Sequence, residues 1–417
     1  MLVTAAFLLA VFAYSLISRR IDGTLLTAPM IFTAAGALLL LIPGAEIQLL
    51  VDRKSVLLIA EVGLVMTLFT DASRIPLQSL RGDRNLPVRL LSVGMLLTIA
   101  LGAAAALVCF GGLSVWEAGI IAAILAPTDA GLGQVIVNSR EAPLHIRQAL
   151  NVEAGLNDGL SVPFLMLFIA FAAARESGGA HTVLGRYLLE QLGYGAAIGL
   201  AVGLIGGALI GFAQRRRWIA TALTQTAVVA LPLICVVASE ETGASMFIAA
   251  YVAGLAVQRG FPHVARHSVE FSENWGQLFN FFVFFVFGLF VALAVGEFAP
   301  ATIVYAVLSL TVVRMVPVAI SLIGTHMSRA TVLFIGWFGP RGLASIVLGL
   351  VYLEQQARLP NEPIIRHAVM ATVLLSIVAH GISAVPGIHR YARAIRDLPA
   401  EAPEHGGQDA NPAERAQ

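Results

Sequence analysis

The sequence predicts an all-α polytopic membrane protein of about thirteen transmembrane helices, arranged as an inverted repeat with two broken, crossing helices. Three observations predict it. Composition comes first: 58% of the 417 residues are hydrophobic and only 12% are charged, with a mean hydropathy of +0.84, where a soluble domain carries about 25% charged residues. The second is an alternation of arginine-rich and arginine-poor loops between apolar segments. The third is a pair of Pro/Gly clusters, each carrying a charge, inside the fifth and the twelfth segment.

In chain order the apolar segments are 2–17, 25–43, 55–71, 90–111, 114–137, 148–174, 187–213, 219–238, 244–257, 277–296, 300–323, 331–352 and 363–386. Most approach the roughly 20 residues that a helix needs to cross hydrocarbon; 244–257 is the shortest. The first runs on without a small-residue cleavage pattern, so it reads as a span and not as a removable signal. Glycines at 193, 195, 199, 203, 206 and 207 suit the seventh for close helix packing. In the tenth, FNFFVFFVFGLF (279–290) reads as lipid-facing or interfacial packing, with no cofactor site. Cys109 and Cys235 lie far apart in apolar stretches and read as small buried hydrophobes, not a disulfide. The polar stretch 387–417, rich in Ala, Pro, Glu and Gly, reads as a short, partly disordered tail.

The arginines test this count. One set of alternate loops holds Arg19 and Arg20; Arg74, Arg81, Arg84 and Arg89; Arg140 and Arg147; Arg215, Arg216 and Arg217; Arg259 and Arg266; Arg329; and Arg390, Arg393 and Arg396. The other set holds only Arg53, Lys54, Arg175, Arg186, Arg358 and Arg366, and three of its loops have no basic residue. Basic loops stay cytoplasmic. The reading is an N-terminus outside, a C-terminus inside and an odd number of spans. Six helices, a linker helix and six more put equivalent helices in opposite orientation.

The broken pair follows from that repeat. LAPTDAGLG places Pro127, Thr128, Asp129, Gly131 and Gly133 inside the fifth span; GWFGPRGLASI places Gly336, Gly339, Pro340, Arg341 and Gly342 inside the twelfth. Proline removes a backbone donor and glycine weakens a helix. Such clusters persist at membrane depth where backbone lines a cavity or is buried in protein. The two spans are seven apart and so correspond under the repeat.

The chemistry centres on EAGLNDG, 153–159, inside an apolar segment. An ionised carboxylate in hydrocarbon costs about 3 kcal/mol or more unless it finds a partner. Glu153 and Asn157, four residues apart, share a helix face, and Asp158 is rotated about 100° from Asn157. One acid is then free to be structural while the other is functional. The arginines at membrane depth are Arg314 and Arg341, and either is able to neutralise a carboxylate. Asp71, Asp129 and Asp158 supply hard oxygen ligands that suit an alkali ion or a proton, not a thiophilic metal. Bland roles stand beside these. Asp71 lies near a span end beside Arg74, Asp129 is placed to cap the second half of its broken helix, and the two arginines serve as charge compensators. Glu61 and Glu117 read as solvated or paired, and His326 and His380 as hydrogen-bonded or solvated.

LAPTDA at 125–130, EAGLNDG at 153–159, the arginine of the eleventh span and GPRG at 339–342 together resemble the monovalent cation/proton antiporters. The Asn157–Asp158 pair resembles the NhaP-like branch of electroneutral sodium/proton exchangers. The resemblance runs through about 1–390. It implies that Asp158 binds the cation or the proton, with Asp129, Thr128 and Asp71 helping to form the site. It further implies that Glu153 pairs with Arg314, that Asn157 holds that pair in place, and that Arg341 balances the broken twelfth helix. Many relatives carry serine after the glutamate; Ala154 stands there instead, which leaves the choice among sodium, potassium and lithium open.

The resulting expectation is a homodimeric antiporter of the bacterial inner membrane that exchanges a monovalent cation, sodium foremost, for a proton. Its transmembrane domain spans 1–386. The core bundle takes about 55–174 and 300–386, the dimerisation scaffold about 1–54 and 187–296, and 387–417 forms a cytoplasmic tail; the division into bundle and scaffold comes from the resemblance. A potassium/proton antiporter and a cation channel are the alternatives. No cofactor, resident metal or nucleic acid is implied. Neither HExxH nor GxGD occurs in the sequence, so an intramembrane protease has no motif to carry it.

Overall fold

The computed structural model describes residues 2–21, 24–41, 53–74, 86–177, 185, 189–262, 264–354, 359–399 and 402–405. The loop with Arg81 and Arg84, the loop positions Arg186 and Arg358, and 400–401 and 406–417 of the predicted tail lie outside the described residues. The described residues form helices joined by short connections: α1 Leu2–Ile21, α2 Ala28–Leu39, α3 Arg53–Arg74, α4 Leu86–Cys109, α5 Val115–Ile124, α6 Ala130–Val137, α7 Leu144–Ser177, α8 Leu189–Arg215, α9 Thr221–Thr242, α10 Met246–Gly260, α11 Val264–Ala294, α12 Pro300–Ser321, α13 Arg329–Trp337, α14 Leu343–Glu354 and α15 Glu362–Arg396.

Eight of these are long and apolar enough to cross a membrane: α1, α4, α7, α8, α9, α11, α12 and α15. The remaining predicted spans are taken by α2, α3, α10 and two interrupted pairs, α5–α6 and α13–α14. The interruptions fall where the Pro/Gly clusters predict them, at 125–129 and 338–342. Helix starts carry side-chain caps. Ser114 and Glu117 close a capping box on α5, while Ser245 and Ser328 accept from the third residue of α10 and α13. Gly243, at φ 68°, ends α9 in the left-handed region that glycine enters without steric cost.

Small residues set the packing. Gly199, Gly203, Gly207 and Gly211 form one stripe along α8, and a Cβ on any of them would overlap the carbonyl oxygen of Ala249, Ala253, Val257 or Gly260 on α10. Gly36 of α2 and Gly288 of α11 meet in the same way, against Phe285 and Thr33. Close backbone approach of this kind is how helices associate without a hydrophobic driving force between them.

Two expectations are corrected. The aromatic run does not face lipid. Phe284, Phe285 and Phe287 are buried, and Phe281 stacks on Phe32 with ring centroids 4.3 Å apart. Phe7 of α1 packs on Phe285 at 5.6 Å. A face this rich in phenylalanine buries more area against α1 and α2 than a lipid-facing stripe can. The tail is also shorter than predicted: α15 runs on to Arg396, and Ile388, Tyr391 and Ile395 are buried on one face of it. Tyr391 stacks on Phe334 of α13 at 4.1 Å. Beyond the helix, Glu404 is buried, accepting from Ser328 N and Thr331 Oγ1 at 2.7 Å each.

Candidate functional site

Four helix ends meet where the interrupted pairs cross. The C-terminal ends of α5 and α13 present unpaired carbonyls, and the N-terminal ends of α6 and α14 present unpaired amides. Left alone at membrane depth these groups are costly. The sequence supplies a partner for each. Asp129 N-caps α6 through Oδ1, which accepts from Leu132 N at 3.0 Å, and its Oδ2 accepts from Leu343 N at the start of α14. Arg341 donates through Nη1 to Ala126 O at 2.5 Å and to Pro127 O at 2.9 Å, past the end of α5. Ser345 Oγ donates to Ile124 O at 2.7 Å. Negative charge thus sits on positive helix ends and positive charge on a negative one, the favourable sense for the helix dipole. A backbone bond from Asp129 N to Pro340 O, 2.7 Å, ties the two breaks together.

His380 of α15 completes the crossing. Its Nε2 is 2.8 Å from Trp337 O, and its Nδ1 is 3.2 Å from Ser376 Oγ. Ser376 Oγ also accepts from Arg341 N at 2.7 Å. Nδ1 also lies 3.0 Å from Ser376 O, so each ring nitrogen of His380 faces a backbone carbonyl. Two glycines of GPRG make room for these charges. A Cβ at Gly342 would overlap the Asp129 carboxylate, and one at Gly339 would overlap the Arg314 guanidinium.

Glu153 and Arg314 form a bidentate pair, Nη1 to Oε1 at 2.5 Å and Nη2 to Oε2 at 3.0 Å, with both side chains buried. This geometry is the strong form of a carboxylate–guanidinium contact. It chooses between the two arginines that the sequence left open as partners. Asn157 does something other than expected. Its Nδ2 donates to Thr128 Oγ1 at 2.7 Å, so it braces the break in the fifth span, where the sequence reading had it hold the charge pair. The reason is position: α7 passes directly beside the interruption, and a neutral amide reaches a hydroxyl there while Arg314 already satisfies both Glu153 oxygens.

Asp158 lies one residue further along α7, 7% exposed. Its Oδ1 has no hydrogen-bond partner among the described residues. Asp71 and Asp129 are near enough to act on it electrostatically. Asp71 packs on α7 at Gly155, where an added Cβ would stand 3.3 Å from the Asp71 Cβ. A cleft of about 290 Å³, its solvent-open mouth included, lies between α6 and the start of α7, with Thr128, Asp129, Asn151, Ala154 and Pro340 among its walls; Asp158 and Asp71 do not line it. One neighbour was not anticipated. Tyr251 of α10 lays its ring on Gly159, the residue next to Asp158. It sits in the shortest predicted segment, and a lone tyrosine there carries no signal without knowing that α10 faces α7. Among the described residues no cluster of three or more His, Cys, Asp or Glu is able to hold a metal ion.

Comparison with known proteins places this geometry. The family described as sodium/hydrogen exchanger, transmembrane, matches residues 6–388. A K(+)/H(+) antiporter NhaP of Alkalimonas amylolytica is 27% identical over 357 residues, covering 84% of this chain and 59% of the relative. A Na(+)/H(+) antiporter of Schizosaccharomyces pombe is 25% identical over 315 residues, covering 63% of this chain and 62% of the relative. The chain therefore spans less than two thirds of the length of either. Among solved structures, the sodium proton antiporter MjNhaP1 of Methanocaldococcus jannaschii at pH 8 superposes with a TM-score of 0.70 at 17% identity, over 91% of this chain and 97% of that one.

Proposed function

Since this chain belongs to the sodium/hydrogen exchanger family, we propose that it is a secondary antiporter exchanging a monovalent cation, sodium foremost, for a proton by alternating access. One observation carries the reading. Asp158 is a buried carboxylate with an oxygen unpartnered among the described residues, whereas Glu153 and Asp129 are both engaged. We assign the substrate to this acid, with a cation and a proton competing for it. Thr128 and Asp71 add oxygen ligands beside it. Asp129 and Arg341 hold the helix ends that frame the site, and Glu153, Arg314 and Asn157 hold α7 against them.

Arg314 occupies both oxygens of Glu153 and Asn157 is a neutral amide, so Asp158 carries one cation or one proton per crossing and the exchange is electroneutral. At low pH protons exclude the cation; at high pH too few protons return. The rate peaks between these limits, and the optimum moves to lower pH as cation concentration rises. Potassium is the second reading. Ala154 lines the cavity without a hydroxyl, and one relative is named as a K(+)/H(+) antiporter.

The arginine-rich loops support an N-terminus outside and a C-terminus in the cytoplasm, in a bacterial inner membrane. The core takes about 55–174 and 300–386, the scaffold about 1–54 and 187–296. Leu9, Phe12 and Leu16 of α1 are exposed, a surface for lipid and for a second copy in a homodimer. The test is proton flux in reconstituted vesicles with sodium, potassium and lithium added in turn, for the wild type and for Asp158→Asn. The wild type releases protons on addition of its cation, and the variant, folded, does not. Wild-type rates in the variant remove Asp158 from the mechanism.

A further inference from the structure

A second cleft opens at the other end of the bundle, where α14 ends and α15 begins, with about 410 Å³ of space that includes its solvent-open mouth. Phe287 and Phe290 of α11 form one wall; Ile346, Gly349 and Leu350 of α14 and Met370 of α15 form the others. Those walls are apolar, and two groups break the pattern. Tyr352 lines the cavity at 2% exposure, and its hydroxyl has no hydrogen-bond partner among the described residues. Arg366, also lining it, is 37% exposed, and its Nε is likewise without a partner. Arg366 stands 3.8 Å from Glu362 on the same helix face, a long contact in an exposed setting and therefore weak. His367 faces Glu297 at 3.3 Å and leaves Arg366 uncompensated from that side.

We propose that this cavity is a binding site for an anionic phospholipid of the surrounding bilayer, one acyl chain lying along the phenylalanine wall and the phosphate on Arg366. The walls demand a hydrocarbon chain. The planar guanidinium suits an anion that offers it two oxygens, and phosphate is a good match. The buried hydroxyl demands an acceptor near the head of the chain, which the ester carbonyl of a glycerolipid supplies; an unpaired buried hydroxyl is otherwise a net cost. Gly349 shapes the floor: an added Cβ meets only Val369 Cγ1, at 3.4 Å, so a larger side chain there points into open space. The lipid bridges α11 to α14 and α15. This ties what the proposed function takes as scaffold to core, and binding itself depends on neither that division nor transport.

The test uses the full chain in detergent, photolabelled with phosphatidylglycerol or phosphatidylcholine bearing a diazirine near the end of one acyl chain, followed by peptide mapping and by thermal unfolding with the unlabelled lipids. Phosphatidylglycerol labels peptides from 287–290, 346–353 or 365–370, and raises Tm more than phosphatidylcholine does. Arg366→Gln brings phosphatidylglycerol labelling down to the phosphatidylcholine level. Gly349→Leu, which fills the cavity, removes labelling by both. Labelling spread over the bundle, equal labelling by both lipids in the wild type, or labelling unchanged in Arg366→Gln overturns the proposal. Should Gly349→Leu fail to fold, Arg366→Gln and the peptide map decide it.

Discussion

Arg314 donates two hydrogen bonds to Glu153, both side chains being buried, and the consequence of losing either partner is large. Truncating one partner leaves a buried charge alone, a loss of about 3–5 kcal/mol. Glu153→Ala and Arg314→Ala are each expected to lower the thermal midpoint, and the double variant to lose less than the sum of the two. A double-mutant cycle by thermal unfolding measures this; strict additivity would show that the pair contributes nothing. Gly342→Ala is expected to fail for a different reason. One methyl group there meets the carboxylate that caps α6 and α14, and overpacking of this sort costs about 1–3 kcal/mol. Unfolding midpoint and proton flux should fall together. Residues of this kind were unevenly legible. The carboxylates, the amide and the two arginines stood out because charge in an apolar span needs a reason. The partner of each was hidden, because Asp129 reaches an amide 214 positions away and spacing along the chain says nothing about that.

At the scale of elements, the two interrupted pairs were readable from proline and glycine alone, while the caps were readable only where they are local, as at Ser114. The extension of α15 was missed because Arg390, Arg393 and Arg396 dominate its composition, although Ile388, Tyr391 and Ile395 keep a helical spacing. The segment after it brings Glu404 back over the start of α13. Burial by itself raises the Glu404 carboxyl, but bonds from Thr331 and Ser328 outweigh it and hold the group below its ordinary 4.5. A carboxyl depressed on folding stabilises the folded state above its unfolded value, and that stabilisation is lost as pH falls through the folded value. Glu404→Gln should therefore be less stable than the wild type at pH 7, by about 1.5–3 kcal/mol for a hydrogen-bonded charge. The gap should close below pH 4.5. Thermal midpoints of both proteins across pH check this, and a gap that persists in strong acid would contradict it.

For the whole molecule, the thirteen spans follow from hydropathy because each must satisfy its own backbone in lipid. What hydropathy leaves out is which helices touch. Tyr251 came to Asp158 only through the packing of α10 on α7, and the aromatic run of α11 proved to be core because α1 and α2 cover it. In the proposed cycle one carboxylate serves two substrates in turn, while Glu153 stays paired with Arg314, and Asp129 and Arg341 stay bonded to helix ends. That arrangement moves the same charge in both directions. The direct measurement records current across a solid-supported membrane together with proton flux in vesicles made from the same preparation, under a sodium gradient and then a potassium gradient. The account predicts proton flux driven by the cation, with no sustained current and no dependence on voltage. A sustained, voltage-sensitive current that matches the proton flux would contradict it.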